Sequence, residues 1–268
     1  MIHHGKRLTY LSFGAGVQST AMLILANQGK YTPRPDVAIF ADTGDEPQWV
    51  YDTVEQMREW SSIPIEVVTE GTLSEHVRQR QSEERGRVAN IPLFTMGGDG
   101  KAAPLLRQCS REYKVEPIEK YVGTLVGRKQ GQRSNGILAD CQIGISVDEA
   151  HRMRDSRTKW IHNQYPLIDL RLYRNQCADT CLEAGFSPKR SACVYCPYHS
   201  DRAWLDLKNN HPLEWDRAVQ FDQDFRSIPG VRGECFVHRS LVPLDQVRFR
   251  HEHQASMFGN ECEGMCGV

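Results

Sequence analysis

From Leu8 to Glu70 the chain repeats one unit: a short apolar run, a turn, then a segment of helical spacing. The apolar runs span 8–13, 35–41 and 63–70, and the helical patterns span 17–28 and 46–60. Strands alternating with helices dictate a parallel sheet, because parallel neighbours need a long crossover connection. The first unit, "YLSFGAGVQSTAMLILANQGK" (10–30), also constrains the chemistry. Its apolar run stops at Ser12, glycines follow at 14 and 16, and a helix begins. A helix N-terminus presents unpaired N–H groups and a partial positive charge, so it attracts phosphate. The lysine of G-x-x-x-x-G-K-[ST] is missing, and Ser19 stands where G-x-G-x-x-G has its third glycine. The cradle is therefore neither an ordinary NTPase loop nor a dinucleotide loop.

In an open α/β sheet, ligands sit beyond the carboxyl ends of the strands, where the strand order reverses. "FADTGDE" (40–46) brings Asp42, Thr43 and Asp45 to that rim. Asp45 or Glu46 is expected to cap the helix at 47–60, leaving Asp42 for a ribose, an adenine or a magnesium ion. Residues 79–104 are polar, glycine-bearing and aperiodic, as a mobile or functional loop would be. A helix is expected at 110–126, a polar bend at 127–136 and a strand at 137–146. A short apolar segment follows at 164–170, a helix at 174–185, and two more near 201–209 and 212–226. This divides the chain into a nucleotide-binding domain, 1–173, and a smaller cysteine-rich helical subdomain, 174–268, that completes the active site.

The 268 residues are ample for one large domain with an appended subdomain. The 33 basic and 34 acidic residues nearly cancel, so bulk charge does not announce a nucleic-acid binder. Arginine groups at 78–87, 128–133 and 152–157 leave a local one open. No apolar run approaches the ~20 residues of a membrane span, and "MIHHGKR" lacks a signal-peptide core, so a cytoplasmic location is expected. Nine cysteines are too few for a disulfide scaffold of this size. Several are paired instead, as C-x-x-C at 193/196 and C-x-x-x-C at 262/266. Zinc, an iron–sulfur cluster, a redox dithiol and burial all compete for the first pair. Cys141, Cys177, Cys181 and Cys235 are expected to be buried as small hydrophobes.

"SFGAGVQST" resembles the phosphate loop of the PP-loop ATP pyrophosphatases, whose usual form is S-G-G-x-D-S. It is closest to the branch containing phosphoadenosine-phosphosulfate (PAPS) reductases and the DndC/SspD-type enzymes of DNA phosphorothioation. The resemblance extends through "ADTGDEPQWVYDTV", "CSREYKVEPI", "IGISVDEAHR" and "YPLIDLRLYRNQC". It implies an α/β fold with a Rossmann-like parallel sheet flanked by helices. It assigns Ser12, Gly14, Gly16, Gln18 and Ser19 to the nucleotide phosphates, and Asp42 and Thr43 to the adenosine. Ala15 and Gln18 depart from the usual loop. The implied reaction splits ATP between its α and β phosphates, with magnesium, and adenylates an oxygen that sulfur or nitrogen then displaces.

The same resemblance bears on the cysteines. "RQCSREYKVEPI" is similar to the C-C-x-x-R-K-x-x-P segment of adenylylsulfate reductases, with Cys109 on the first of the tandem cysteines and Ser110 on the second. Those enzymes hold a [4Fe–4S] cluster with that pair and a later C-x-x-C. Cys109, Cys193 and Cys196 are thus the implied ligands, with Cys262 or Cys266 as a fourth, and zinc is the runner-up. "ECEG" is also similar to the E-C-G-L-H end of sulfonucleotide reductases, which offers Cys262 a nucleophilic role, although no Leu-His pair follows. Lys114 and Arg111 could offset the charge of a thiolate cluster or grip phosphate. Asp148, Glu149 and Arg152 read by themselves as helix caps and solvated face, but in the resembled families this segment lies at the active-site mouth, which makes Arg152 the implied contributor. His199 could be a ligand under the zinc reading, whereas His251 and His253 look like surface. The favoured function is ATP-dependent sulfur insertion of the DNA phosphorothioation kind, served by a cysteine desulfurase, with DNA or tRNA as acceptor. A PAPS or adenylylsulfate reductase releasing sulfite is the alternative, and a nucleotide-sensing protein without turnover is a third reading.

Overall fold

The computed structural model describes residues 7–82, 91–129, 131–132 and 136–249. In chain order the elements begin with β1 (Leu8–Ser12), α1 (Val17–Asn27), β2 (Val37–Asp42), α2 (Gln48–Trp60), β3 (Ile65–Thr69) and α3 (Leu73–Ser82). A hairpin follows, β4 (Phe94–Met96) and β5 (Ala102–Pro104), then a π-helical turn at Arg111–Val115 that runs into α4 (Glu116–Leu125). Next come β6 (Ala139–Ile143), a 3-10 turn (Val147–Arg152), β7 (Ile161–Gln164) and α5 (Pro166–Asp169). The chain continues through α6 (Arg174–Glu183), α7 (Asp201–Asn210), α8 (Pro212–Asp224) and a final 3-10 turn (Leu244–Gln246).

Five strands form one parallel sheet in the order β3-β2-β1-β6-β7. Every residue of β1 and β6 is buried, as expected of central strands covered on both faces. The order reverses between β1 and β6, so the cradle after β1 lies at the switch point. Leu11, Ala38 and Phe40 face a core with α1, α2 and α6. Tyr10, Ile39 and Cys141 face the opposite way, onto Ile118 and Val122 of α4 and onto Trp160. In α2 the buried residues are Val50, Thr53, Val54 and Met57, the i, i+3, i+4, i+7 stripe of a one-sided helix. The fold is thus the α/β, Rossmann-like arrangement expected from the alternating pattern.

A second core gathers Leu73 and Val77 of α3 with Leu93, Tyr195, Trp204, Trp215 and Phe221. Tyr195 stacks on Phe221 at 3.6 Å between ring centroids. Residues 79–104 are therefore no structureless loop where they are described. α3 runs to Ser82, and the 94–104 hairpin is tied to Phe236 by an isolated bridge. Strands of three residues leave no periodic signal, which is why the hairpin escaped the pattern. β7 also begins earlier than the apolar segment at 164–170, because it is an edge strand with an exposed His162. The helix expected at 110–126 is split between the π-helical turn and α4. α6 packs into the first core through Cys177 and Cys181, both fully buried, while the second core joins residues 73–113 to residues 194–244. No helix of the described residues is long and apolar enough to cross a membrane.

Candidate active site

The cradle is built by a sharp turn. Ala15 takes a left-handed φ of 54°, a conformation that costs a residue with a Cβ roughly 1–2 kcal/mol. Gly16 caps α1 in extended conformation with no side-chain cap, and no acidic residue sits in the first turn. The leading N–H groups of α1 thus remain open to an anion. Gly144, just after β6, packs against this turn. A Cβ there would lie 3.0 Å from the Ser19 nitrogen and 3.3 Å from the Gln18 carbonyl carbon. Ser19 Oγ donates back to the Gly16 carbonyl at 3.2 Å, and the buried Thr20 hydroxyl has no hydrogen-bond partner.

Gln18 is fully buried, and its amide is engaged by protein. Its Nε2 donates to Glu149 Oε2 at 3.2 Å and to Ser146 Oγ at 3.4 Å, while its Oε1 accepts from Arg174 at 2.9 Å. Glu149 in turn pairs with Arg152 at 2.9 Å, and Asp148 accepts from the Arg174 backbone N–H. Gln18 therefore serves the cradle as a brace between α1 and the two arginines. Arg174 and Glu149 carry no local signal for this role, since their partner lies 156 and 131 residues away.

The opposite rim is the turn after β2. Asp42 Oδ1 accepts from the Gly44 N–H at 2.8 Å and from the Tyr51 hydroxyl at 2.9 Å. Gly44 has φ 73°, and a Cβ would meet the Thr72 backbone at 2.9 Å, so the position requires glycine. Neither Asp45 nor Glu46 caps α2, whose cap is Pro47 without a side-chain hydrogen bond. Asp45 accepts instead from the Ser74 N–H and hydroxyl at 2.8 and 2.9 Å, and from the Tyr195 hydroxyl at 2.6 Å. Glu46, fully buried, accepts from Lys114 Nζ at 2.8 Å. Tertiary partners outcompeted the local cap in both cases.

Cys109, Cys193 and Cys196 line one pocket, with Thr43, Lys114, Tyr195 and Tyr198. Thr43 Oγ1 lies 3.4 Å from Cys193 Sγ, and Arg107 stacks over Tyr198 at 4.8 Å. Burial, and then the Glu46 carboxylate, pushes the Cys193 thiol well above its usual range, against the Lys114 ammonium and the Thr43 hydroxyl. His199 Nε2–H donates to the Cys193 carbonyl at 3.1 Å, which fixes the neutral tautomer, and burial pulls its pKa down to about 3. Among the described residues no group of three or more His, Cys, Asp or Glu side chains is arranged to hold a single metal ion. Cys262 and Cys266 lie outside the described residues, as do His251 and His253. Cys141, Cys177, Cys181 and Cys235 are buried, as expected.

A second pocket opens on the α4 face of the sheet, lined by Tyr10 and Ser12 of β1, Cys141, Glu119, Arg111 and Val115. The π-helical turn separates the two pockets: Arg111 and Val115 face this one, while Lys114 faces the cysteines. Such turns recur at functional sites.

Residues 9–135 match the family model of the phosphoadenosine phosphosulfate reductase domain. The matched stretch takes in the cradle, the Asp42–Gly44 turn, Cys109 and Lys114, and it supports the PP-loop, PAPS reductase-like superfamily for this part of the chain. No curated protein matches the chain. Among solved structures, the chain is similar to phosphoadenylyl-sulfate (PAPS) reductase from Candida auris in its phosphate complex. The two share 13% identity over 69% of this chain and 76% of that one, with a TM-score of 0.43.

Proposed function

We propose that the protein is a nucleotide-dependent enzyme of sulfur chemistry, an ATP pyrophosphatase that adenylates an acceptor oxygen and supports its replacement by sulfur. The observation that carries this reading is the π-helical turn, with a nucleotide-side pocket at Arg111 and Val115 and a three-cysteine pocket at Lys114. The acceptor oxygen attacks the α-phosphorus of ATP, and the bond to the β-phosphate oxygen breaks, so pyrophosphate leaves with its electrons. A sulfur nucleophile then attacks the acceptor atom, and AMP departs carrying the original oxygen. The open N–H groups of α1 take up the charge of the leaving pyrophosphate, with Ser12, Gly14, Gly16 and Ser19 shaping the loop around it. Asp42 is the carboxylate at hand for magnesium, which neutralises pyrophosphate in such reactions. Arg152 and Arg174, held by Glu149, Gln18 and Asp148, add positive charge at the mouth.

The cysteine pocket fits a thiolate-held group. Its three sulfurs share one pocket beside Lys114, whose ammonium partly opposes the burial and the Glu46 carboxylate that hold Cys193 as a thiol. Cys109, Cys193 and Cys196 would hold a [4Fe–4S] cluster, with Cys262 or Cys266 completing the set. Zinc is the alternative occupant. Held by the three described thiolates alone, such a cluster would have one open iron and would supply a binding position for sulfide. A cysteine desulfurase is the expected sulfur source, the cytoplasm the expected compartment, and DNA phosphorothioation the expected setting, with tRNA thiolation chemically close. The matched family favours a second reading, reduction of PAPS or adenylylsulfate to sulfite.

Anaerobically purified protein given labelled ATP or PAPS separates these readings. Pyrophosphate from ATP is the expected product, and sulfite from PAPS without pyrophosphate refutes the proposal. Iron content and absorbance near 400 nm, lost in Cys193→Ala but kept in Cys235→Ala, test the cluster.

A further inference from the structure

The charge of the chain is balanced overall at −1, yet residues 151–174 carry six lysines and arginines against two aspartates. The fold gathers these with the bend after α4. From the 3-10 turn at the mouth of the site, residues 153–160 run as a strap beside the edge strand β7. The upper end is fixed by Arg154, whose carbonyl accepts from Asn163 and Tyr165 at the carboxyl end of β7. The lower end is fixed at Trp160, over which the Arg128 guanidinium stacks at 5.0 Å, joining the strap to the chain just after α4. Arg154, Arg157, Lys159 and Lys129 are all exposed along this line.

These four are clustered and lack acid partners, the Arg154 guanidinium donating only to the His151 and Met153 carbonyls at 2.8 and 2.6 Å. On α2, α3 and α4, Arg58, Arg78, Arg80 and Lys120 each meet a carboxylate. None of Arg154, Arg157, Lys159 and Lys129 meets one among the described residues. Asp155, also exposed, is the single acid in the strap. A row of uncompensated charge stores self-repulsion, which a polyanion relieves and which salt screens. Arg154 and Lys159 are at most ~18 Å apart, close enough to meet neighbouring phosphates of one strand.

We propose that this strap is a nucleic-acid track, which holds a phosphodiester backbone and leads it to the mouth of the site at Arg152. The proposal extends the sulfur-transfer reading by identifying its acceptor as a nucleic acid, but binding alone can test it. Fluorescence anisotropy with labelled duplex DNA, single-stranded DNA and tRNA, from 50 to 200 mM salt, reads affinity and salt slope. The triple variant R154A/K159A/K129A should bind at least tenfold more weakly at 50 mM salt, and its slope on duplex DNA should fall by about 2 to 3. The control K30A/K101A, at exposed lysines off the strap, should bind as wild type with an unchanged slope. All five side chains are exposed, so thermal melting should be unaffected. Whether duplex or tRNA binds tighter identifies the acceptor, and either result supports the track. Wild-type protein that binds none of the three, or a triple variant that behaves like the control, overturns it. Pyrophosphate release is read separately. Its failure beside intact binding sinks the ATP reading alone, and intact release beside failed binding sinks the track alone.

Discussion

Replacing Lys114 by methionine tests how the cysteine pocket is held together. Lys114 Nζ and Glu46 Oε1 are 2.8 Å apart, with side chains 9% and 1% exposed, and Glu46 Oε2 is buried without a hydrogen-bond partner. At an effective dielectric of about 20 the gross attraction is about 6 kcal/mol, which desolvation of both ions largely offsets. The pair as a whole therefore contributes little to stability, but breaking it strands a buried carboxylate. Thr43 Oγ1, at 3.5 Å, is a weak substitute donor. K114M should thus cost ~3–5 kcal/mol, toward the lower end because Lys114 keeps some solvent contact. In a chain of this length that lowers Tm by about 6–20 °C. The double variant E46Q/K114M removes both charges and should recover more than half of the loss. Thermal and urea unfolding of wild type, both single variants and the double close the cycle. A K114M protein within ~2 °C of wild type, or a double variant no more stable than K114M, refutes the buried-pair account.

Two further outcomes follow from single positions. Gly144→Ala drives a methyl group against the backbone of Ser19 and Gln18, which cannot swing aside as a side chain can, so it should cost ~1–3 kcal/mol and weaken nucleotide binding measured by calorimetry. A variant that binds ATP or PAPS like wild type shows that the loop does not depend on that close approach. His238 donates from Nε2 to Asp201 at 3.2 Å, and burial holds its pKa below the ordinary 6.5 despite that carboxylate. The unfolded chain therefore takes up the proton first as pH falls. The stability tied to neutral His238 is complete above about pH 6.5 and declines below it. Urea midpoints between pH 5 and 7.5 should fall with pH in wild type and flatten in H238N. Parallel curves would remove His238 from the account.

The sheet was legible because its information is local. β1, β2 and β3 are continuous apolar runs, and a buried parallel strand needs nothing else. The phosphate cradle was legible for the same reason, its turn and helix start lying within nine residues. The partners of the side chains in such segments were not legible where a distant residue intervened. Asp45 and Glu46 sit where a helix cap belongs, yet their carboxylates go to Ser74, Tyr195 and Lys114, between 29 and 150 residues away. Gln18 looks like a ligand donor in sequence, but Arg174 and Glu149 claim its amide. The arginine groups at 128–133 and 152–157 were visible separately, whereas their union through Arg128 and Trp160 is a product of the fold.

The turn after β2 explains why the two cores need one another. In a bare nucleotide-binding sheet, "ADTGDEP" would only close the rim of the ligand crevice. Here the side chains of Thr43, Asp45 and Glu46 also reach the lining of the cysteine pocket. Thr43 meets Cys193, the Asp45 carboxylate holds Tyr195, and its carbonyl accepts from the Val194 N–H at 3.0 Å. Glu46 holds Lys114, one residue from Val115, which lines the pocket on the α4 face of the sheet. A displacement of this turn on nucleotide binding would therefore reach Cys193 directly, through buried bonds with little slack. Coupling of that kind needs a rigid segment contacting both sites, and seven residues of sequence supply it.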